Sequence, residues 1–182
     1  MPNVILDACV LFPMYLRDTL LSTVEAGLYV HYWSQKILDE AIGNLINKGY
    51  MSDEGARNLE TVMKAAFPEA MIEVPIQLEE LMTNHPKDRH VLAAAVVAKA
   101  QIIVTRNIKD FQDQDLNYWN VKAQSPDDFL CDLFEQYPKI MVQILLKQSQ
   151  NYKRNPRTFA ELLDKLSNQI PEFSQKIRTF IT

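Results

Sequence analysis

The sequence predicts an α/β fold: a mostly parallel central sheet with helices on both faces, three layers in all, followed by a C-terminal all-helical appendage. Three observations predict it. Short β-branched apolar runs alternate with helix-period segments through residues 1–124, the pattern of a parallel sheet crossed by helices. The first run, Val4-Ile5-Leu6, is apolar without alternation, as in a strand covered on both faces. From Ser125 onward the strand pattern stops and proline-punctuated helical segments take over. The expected organisation is one α/β domain over residues 1–124 and a helical extension over residues 125–182.

Val4-Ile5-Leu6 ends abruptly in Asp7. Residues 12–26 then carry Leu16, Leu20, Leu21 and Val24 at helical spacing, with Gly27 as the stop. Residues 28–33 are rich in aromatic and β-branched side chains and read as the second strand. Ser34 caps a helix over residues 35–47, whose Ile37, Leu38, Ala41, Ile42 and Leu45 share one broad face. Ser52 caps another, ending before Pro68. Residues 71–74 give a short third strand and residues 77–83 a short helix. Residues 84–88 are turn-like. Val91 to Ala98 is apolar nearly all round, so it reads as a buried helix. Residues 101–105 form a β-branched strand, and a weak last strand includes Val121. Beyond Ser125-Pro126, helices are expected over residues 127–136, 139–150, 158–166 and 170–181.

With 182 residues, 47% hydrophobic and 23% charged, the chain is long enough to bury a substantial core. No apolar run approaches the roughly 20 residues that span a bilayer, and no secretory pattern opens the chain. Cys9 and Cys131 are far apart and lack CxxC partners, which fits a reducing compartment. A cytoplasmic protein with no membrane association is the expectation. The net charge of −4 does not announce nucleic-acid binding, although a local basic rim serves where a chain is acidic overall.

Acidic residues stand where apolar elements meet a sheet end. Asp7 ends the first strand, and open α/β sheets place ligands just beyond such ends. Glu40 falls on the flank of the apolar face of its helix, beside Ile37 and Asn44, with Asp39 on the opposite flank. Asp88 opens the all-apolar helix. Asp110 follows the last strong strand. Each has an ordinary role available: cap, helix-dipole partner, turn residue or solvated side chain. Taken together in this order they point to a site, because clustered carboxylates repel unless a hard cation neutralises them. No histidine or cysteine groups with them in the sequence, which argues against zinc. Carboxylate-held Mg²⁺ or Mn²⁺ points to metal-assisted phosphodiester hydrolysis. His85 and His90 are read as non-catalytic, because the helix angle turns His90 away from Asp88 by about 160°.

Four segments carry a resemblance. They are Val4-Ile5-Leu6-Asp7-Ala8-Cys9-Val10-Leu11, Ser34-Gln35-Lys36-Ile37-Leu38-Asp39-Glu40, Asp88-Arg89-His90-Val91-Leu92-Ala93-Ala94-Ala95 and Val104-Thr105-Arg106-Asn107-Ile108-Lys109-Asp110-Phe111. In this order and spacing, over about residues 1–124, the chain resembles PIN-domain ribonucleases, in particular VapC-type toxins of prokaryotic toxin–antitoxin pairs. Residues 125–182 look like the helical extension that some of these toxins carry.

The resemblance implies a Mg²⁺- or Mn²⁺-dependent endoribonuclease restrained by an antitoxin protein, and a homodimer. Asp7, Glu40 and Asp88 match the three acidic positions that bind the metal and organise the attacking water. Many relatives carry a fourth carboxylate where this chain has Asn107, so either Asp110 supplies it or the site runs on three. Ser34 and Thr105 match polar positions lining the pocket. Arg89 and Arg106 are candidate RNA contacts. The Asn107 substitution keeps open a catalytically weak PIN scaffold that binds RNA or a protein, and the carboxylates alone do not separate RNA from DNA. The apolar positions of the extension read as cover for the core, with a groove for an antitoxin helix as the alternative. Lys147, Lys153, Arg154 and Arg157 form a basic cluster there that could meet phosphates.

Overall fold

The computed structural model describes residues 1–182. They form two compact units: Met1–Phe12 with Tyr29–Gln124, and Pro13–Leu28 with Ser125–Thr182. The helical unit therefore draws on two separate stretches of chain, where the sequence pattern suggests a single boundary at residue 124.

The first unit is built on five strands: β1 (Asn3–Leu6), β2 (Val30–Ser34), β3 (Met71–Ile72), β4 (Ile102–Val104) and β5 (Lys122–Gln124). They run parallel in the order β3-β2-β1-β4-β5, which bears out the α/β reading. β1 is central, with Ile5 opposite Tyr32 on one side and Ile103 on the other. Val4, Ile5 and Leu6 are fully buried, as an unalternating apolar run requires. Strand ends differ from the sequence expectation by one or two residues, and the third strand has only two residues.

Between β2 and β3 lie α3 (Gln35–Asn47) and α4 (Asp53–Ala66). Ser34 Oγ accepts the Ile37 N–H at 3.2 Å, a cap worth about 1 kcal/mol. The face Ile37, Leu38, Ala41, Ile42 and Leu45 is buried, and Ile42 and Leu45 pack with Ala56 of α4. Gly49, at φ 72°, takes the left-handed conformation that ends α3. Between β3 and β4 lie α5 (Ile76–Glu79) and α6 (Arg89–Val97), and between β4 and β5 the short α7 (Asp113–Leu116). The chain moves outward from β1 to β3 and then returns to β4, so right-handed crossovers put α3 and α4 on one face and α6 on the other. α6 packs on β1 and β4 and buries every residue from His90 to Ala95.

The helix expected over residues 12–26 is α2 (Met14–Glu25), and ahead of it stands a short helix that the sequence reading does not place, α1 (Ala8–Leu11). Pro13, extended at ψ 119°, separates the two as the N-cap of α2, since a proline has no N–H to continue a helix.

The second unit joins α2 to α8 (Pro126–Gln136), α9 (Pro138–Gln150), α10 (Phe159–Ser167) and α11 (Pro171–Ile181). Prolines in the first turns of α8, α9 and α11 lose no intrahelical donor. α2 packs on α9 and α10, and α8 on α11. The Asp127 carboxylate accepts the Glu172 and Phe173 N–H groups at 3.0 and 2.7 Å, tying the start of α11 to α8. No helix is long and apolar enough to cross a membrane.

Candidate active site

The strand order reverses direction beside β1, which opens a crevice at the carboxyl ends of β1 and β4. Asp7 leaves β1 into that crevice and is 2% exposed. Its Oδ1 accepts the Ala8 N–H at 2.7 Å. Its Oδ2 accepts the Thr105 hydroxyl at 2.7 Å and the Cys9 thiol at 3.3 Å. Asp7 is thus the N-cap of α1 and a site residue at once. Burial pushes its carboxyl up against the lowering effect of those three bonds, and the charge of Glu40 adds to the rise. Burial, then the Asp7 charge, push the Cys9 thiol up to about 12, so it keeps its proton at neutral pH.

Asp88 ends the 3-10 turn Pro86–Asp88 just ahead of α6 and is buried. Its carboxyl is pushed up to about 6, first by burial, then by the charges of Asp7 and Asp110. Asp110 closes the turn Ile108–Asp110 after β4. Possible ligand atoms of His85, Asp88 and Asp110 lie within 4.8 Å of one another, and the His85 N–H donates to the Asp110 carbonyl at 3.3 Å. His85 Nδ1 accepts the Lys87 N–H at 3.3 Å. That bond assigns the imidazole proton to Nε2 in the neutral ring. Glu40, on α3, turns toward α6, where His90 Nε2 lies 2.9 Å from its Oε1.

Of the four carboxylates only Asp88 and Asp110 fall, with His85, in the group whose ligand atoms lie within 4.8 Å of one another. Asp7 and Glu40 lie outside that group and join it through charge, Asp7 feeling Glu40 and Asp88 feeling both other aspartates. Thr105 is buried against Asp7. Asn107 contributes its N–H, donated to Thr105 Oγ1 at 3.1 Å. Ser34 spends its hydroxyl on capping α3. Arg89 Nε is bonded to the Asn84 carbonyl at 3.2 Å, and Arg106 is exposed. An open cleft of about 520 Å³ runs past the cluster, lined by Lys36, Glu40, Asn44, Asn47, Lys87 and Asp88. Its cations are lysines rather than the arginines that the sequence singles out.

Three further residues meet the cluster without being candidates from sequence. His85 and His90 both stand against cluster carboxylates, and Cys9 touches Asp7 directly. The burial of every side of α6 is a signal for His90, since a buried histidine has to meet something. Nothing in the sequence marks the turn that folds His85 onto Asp110.

The group with ligating spacing is two carboxylates and the imidazole of His85, with further carboxylates near it in charge, and carboxylate oxygen suits a hard divalent cation of the Mg²⁺ or Mn²⁺ kind. The carboxyl of Asp88, raised by neighbouring like charges, is what such a cation relieves.

Comparison with known proteins agrees with this geometry. Residues 3–109 match the family described as PIN domain, and residues 126–179 match the family described as VapC50 C-terminal domain. The chain is 45% identical over 97 residues to a Mycobacterium tuberculosis protein named "Putative ribonuclease VapC50". That alignment spans 53% of this chain and 57% of the relative, so the match covers little more than half of either. No solved structure matches the chain.

Proposed function

Because the chain belongs to the PIN-domain family, we propose that it is a Mg²⁺- or Mn²⁺-dependent endoribonuclease, the toxin of a toxin–antitoxin pair. The observation that carries the reading is the mutual charge influence of Asp7, Glu40, Asp88 and Asp110, with Asp88 and Asp110 in ligating range of each other and Glu40 and Asp88 lining an open cleft. The family match and the ribonuclease name of the relative support the nuclease class. The match of residues 126–179 to a VapC50 domain supports the toxin assignment, and with it an antitoxin protein partner, a homodimer and a cytoplasmic setting.

Asp7, Glu40, Asp88 and Asp110 would hold the cation, with Asp110 in the fourth acidic place rather than Asn107. The cation would lower the pKa of a water and offset charge developing on the phosphate. Ionised carboxylates accept hydrogen bonds, so those of the cluster would hold and orient a water at the site. Lys87 flanks the carboxylates in the cleft and draws a polyanion to a site whose own charge repels it, with Lys36 beside it paired to Glu79 at 3.0 Å. Thr105 fixes the Asp7 carboxylate by its 2.7 Å bond.

The test is hydrolysis of defined single-stranded RNA and DNA by the parent chain, Asp7→Asn and Asp88→Asn. The expected outcome is cation-dependent RNA cleavage by the parent and its loss, by a factor of about 100 or more, on the order of a missing charge-stabilising group, in both variants. Cleavage by either variant at the parent rate sinks the assignment, and preferential cutting of DNA redirects it. RNA binding without cleavage by the parent would mark a binding scaffold, the reading that Asn107 favours.

A further inference from the structure

The Cys9 thiol has no part in the chemistry above, yet it sits on the first carboxylate. Its Sγ donates to Asp7 Oδ2 at 3.3 Å and accepts the Arg106 N–H at 3.2 Å. The Thr105 hydroxyl repeats the pattern: it donates to the same Oδ2 at 2.7 Å and accepts the Asn107 N–H at 3.1 Å. A thiol and a hydroxyl each carry one proton. Both protons are committed to Oδ2, and successive backbone N–H groups beyond β4 supply the acceptor side of each. Cys9 Sγ and Thr105 Oγ1 also lie within hydrogen-bond reach of each other, at 3.4 Å, so the thiol and the hydroxyl form one connected pair on the Asp7 carboxylate.

An ionised carboxylate oxygen has two lone-pair positions. On Oδ2 of Asp7 both are occupied. On Oδ1 one takes the Ala8 N–H at 2.7 Å and the other is open. We propose that Cys9 is a positioning residue: with Thr105 it saturates Oδ2 of Asp7, so that Oδ1 alone is presented to a divalent cation. The inference rests on the metal-dependent reading above and adds a residue to it. The arrangement links the first carboxylate to the backbone after β4, so the orientation of Asp7 is set by the two strands that flank the crevice. Hydrogen-bond partners of this kind decide which oxygen a ligand offers and how firmly it is held.

The experiment is Mn²⁺ titration calorimetry on the full chain, with thermal melting alongside, for the parent, Asp7→Asn, Cys9→Ala, Cys9→Ser and Thr105→Val. Cys9→Ala and Thr105→Val are expected to weaken Mn²⁺ binding about tenfold, the lower end for partners that orient a ligand. Cys9→Ser keeps one proton and an acceptor and is expected to stay within about threefold of the parent. A Cys9→Ala protein that melts like the parent and binds Mn²⁺ as tightly overturns the inference, as does Cys9→Ser binding no better than Cys9→Ala. If Asp7→Asn binds Mn²⁺ like the parent, the cation reading falls and this inference falls with it. Loss in Asp7→Asn without loss in Cys9→Ala overturns the inference alone.

Should Cys9→Ala fail to fold, the Raman S–H stretch of Cys9 in a Cys131→Ala background probes the same hydrogen bond without touching the site. The band is expected below the free-thiol frequency, and it should rise when Mn²⁺ withdraws density from the Asp7 carboxylate. A band at the free-thiol position, or one that ignores Mn²⁺, overturns the proposal.

Discussion

His90 Nε2 lies 2.9 Å from Glu40 Oε1, setting an imidazole that is 2% exposed against a carboxylate that is 43% exposed. The pair lacks the alignment of a hydrogen bond, and both ring nitrogens are otherwise without a partner. The buried ring therefore acts as a wall that limits where the Glu40 side chain stands. Replacing it with leucine removes two unsatisfied buried nitrogens and keeps the volume. His90→Leu is expected to melt at or above the parent temperature while Mn²⁺ affinity falls about tenfold. His90→Gln is expected to recover part of that loss. Calorimetric Mn²⁺ titration with parallel melting curves reads both, and an unchanged affinity in His90→Leu would release Glu40 from this dependence.

Asp88 makes a prediction with a definite sign. Its carboxyl titrates at about 6 in the folded chain against an ordinary 3.8, because of burial and the charges of Asp7 and Asp110. Between those values the folded state holds a proton that the unfolded state has released, so this group's contribution to stability falls as pH rises. The cost is fully present above about pH 6 and absent below the unfolded value. His31, buried among Trp33 and Phe67, works the other way: burial lowers it to about 4, so its contribution is lost as pH falls below 6.5. The overall melting profile mixes the two, whereas the difference between Asp88→Asn and the parent isolates Asp88. In chelator, Asp88→Asn is expected to melt higher than the parent at about pH 7.5, by about 2–4 °C per kcal/mol released. That advantage shrinks toward about pH 4.5. An advantage that grows on acidification would contradict the assigned direction.

The physical reason some of this is legible in the sequence is that periodicity and strand-end chemistry are local. The unalternating Val4-Ile5-Leu6 run gives a central strand, and the broad face of α3 gives its buried side. Asp7, Glu40 and Asp88 are singled out by where they stand on such elements, and in the fold the charge of Glu40 acts on Asp7 and that of Asp7 on Asp88. What a period does not state is which helix face meets which. The approach of His90 to Glu40 joins α6 to α3, two helices far apart in the chain. The meeting of His85 with Asp110 depends on the path of two turns. The short helix Ala8–Leu11 shows a different limit, since four residues are too few to display a helical period.

The fourth carboxylate can be assigned by exchange. Asp110 shares a cluster with His85 and Asp88 and contributes to the raised carboxyl of Asp88. Asn107 takes part in the site through its backbone N–H, which any non-proline residue supplies. Asp110→Asn is therefore expected to lower RNA cleavage by about 10- to 100-fold, the range for a metal-site partner. Asn107→Ala is expected to cost less than about threefold, since a backbone donor survives it. Single-turnover cleavage of one defined RNA at saturating Mn²⁺ compares them. The reverse order would move the fourth position to Asn107.

The helical unit contains α2, and this makes residues 125–182 more than a detachable tail. Leu16 and Leu20 are fully buried on α2, which packs on α9 and α10. The polar side is also committed. Thr19 donates to Gln148 Oε1 at 2.8 Å, Gln148 Nε2 donates to the Tyr15 carbonyl at 3.1 Å, and the Tyr152 hydroxyl donates to Asp18 at 2.7 Å. Ending the chain at Gln124 would strip α2 of every one of these partners and expose its apolar face. Truncation is therefore expected to give an aggregating product, read by light scattering of the refolded fragment. Tyr152→Phe tests the same unit without deletion. It removes a hydroxyl that also accepts from Gln148 Nε2 at 2.9 Å, and leaves the half-buried Asp18 carboxylate short of a donor. The expected cost is about 1–3 kcal/mol, seen as a lower melting transition with RNA cleavage intact below it. A soluble, folded 1–124 fragment would show instead that α2 needs none of the partners that its packing displays.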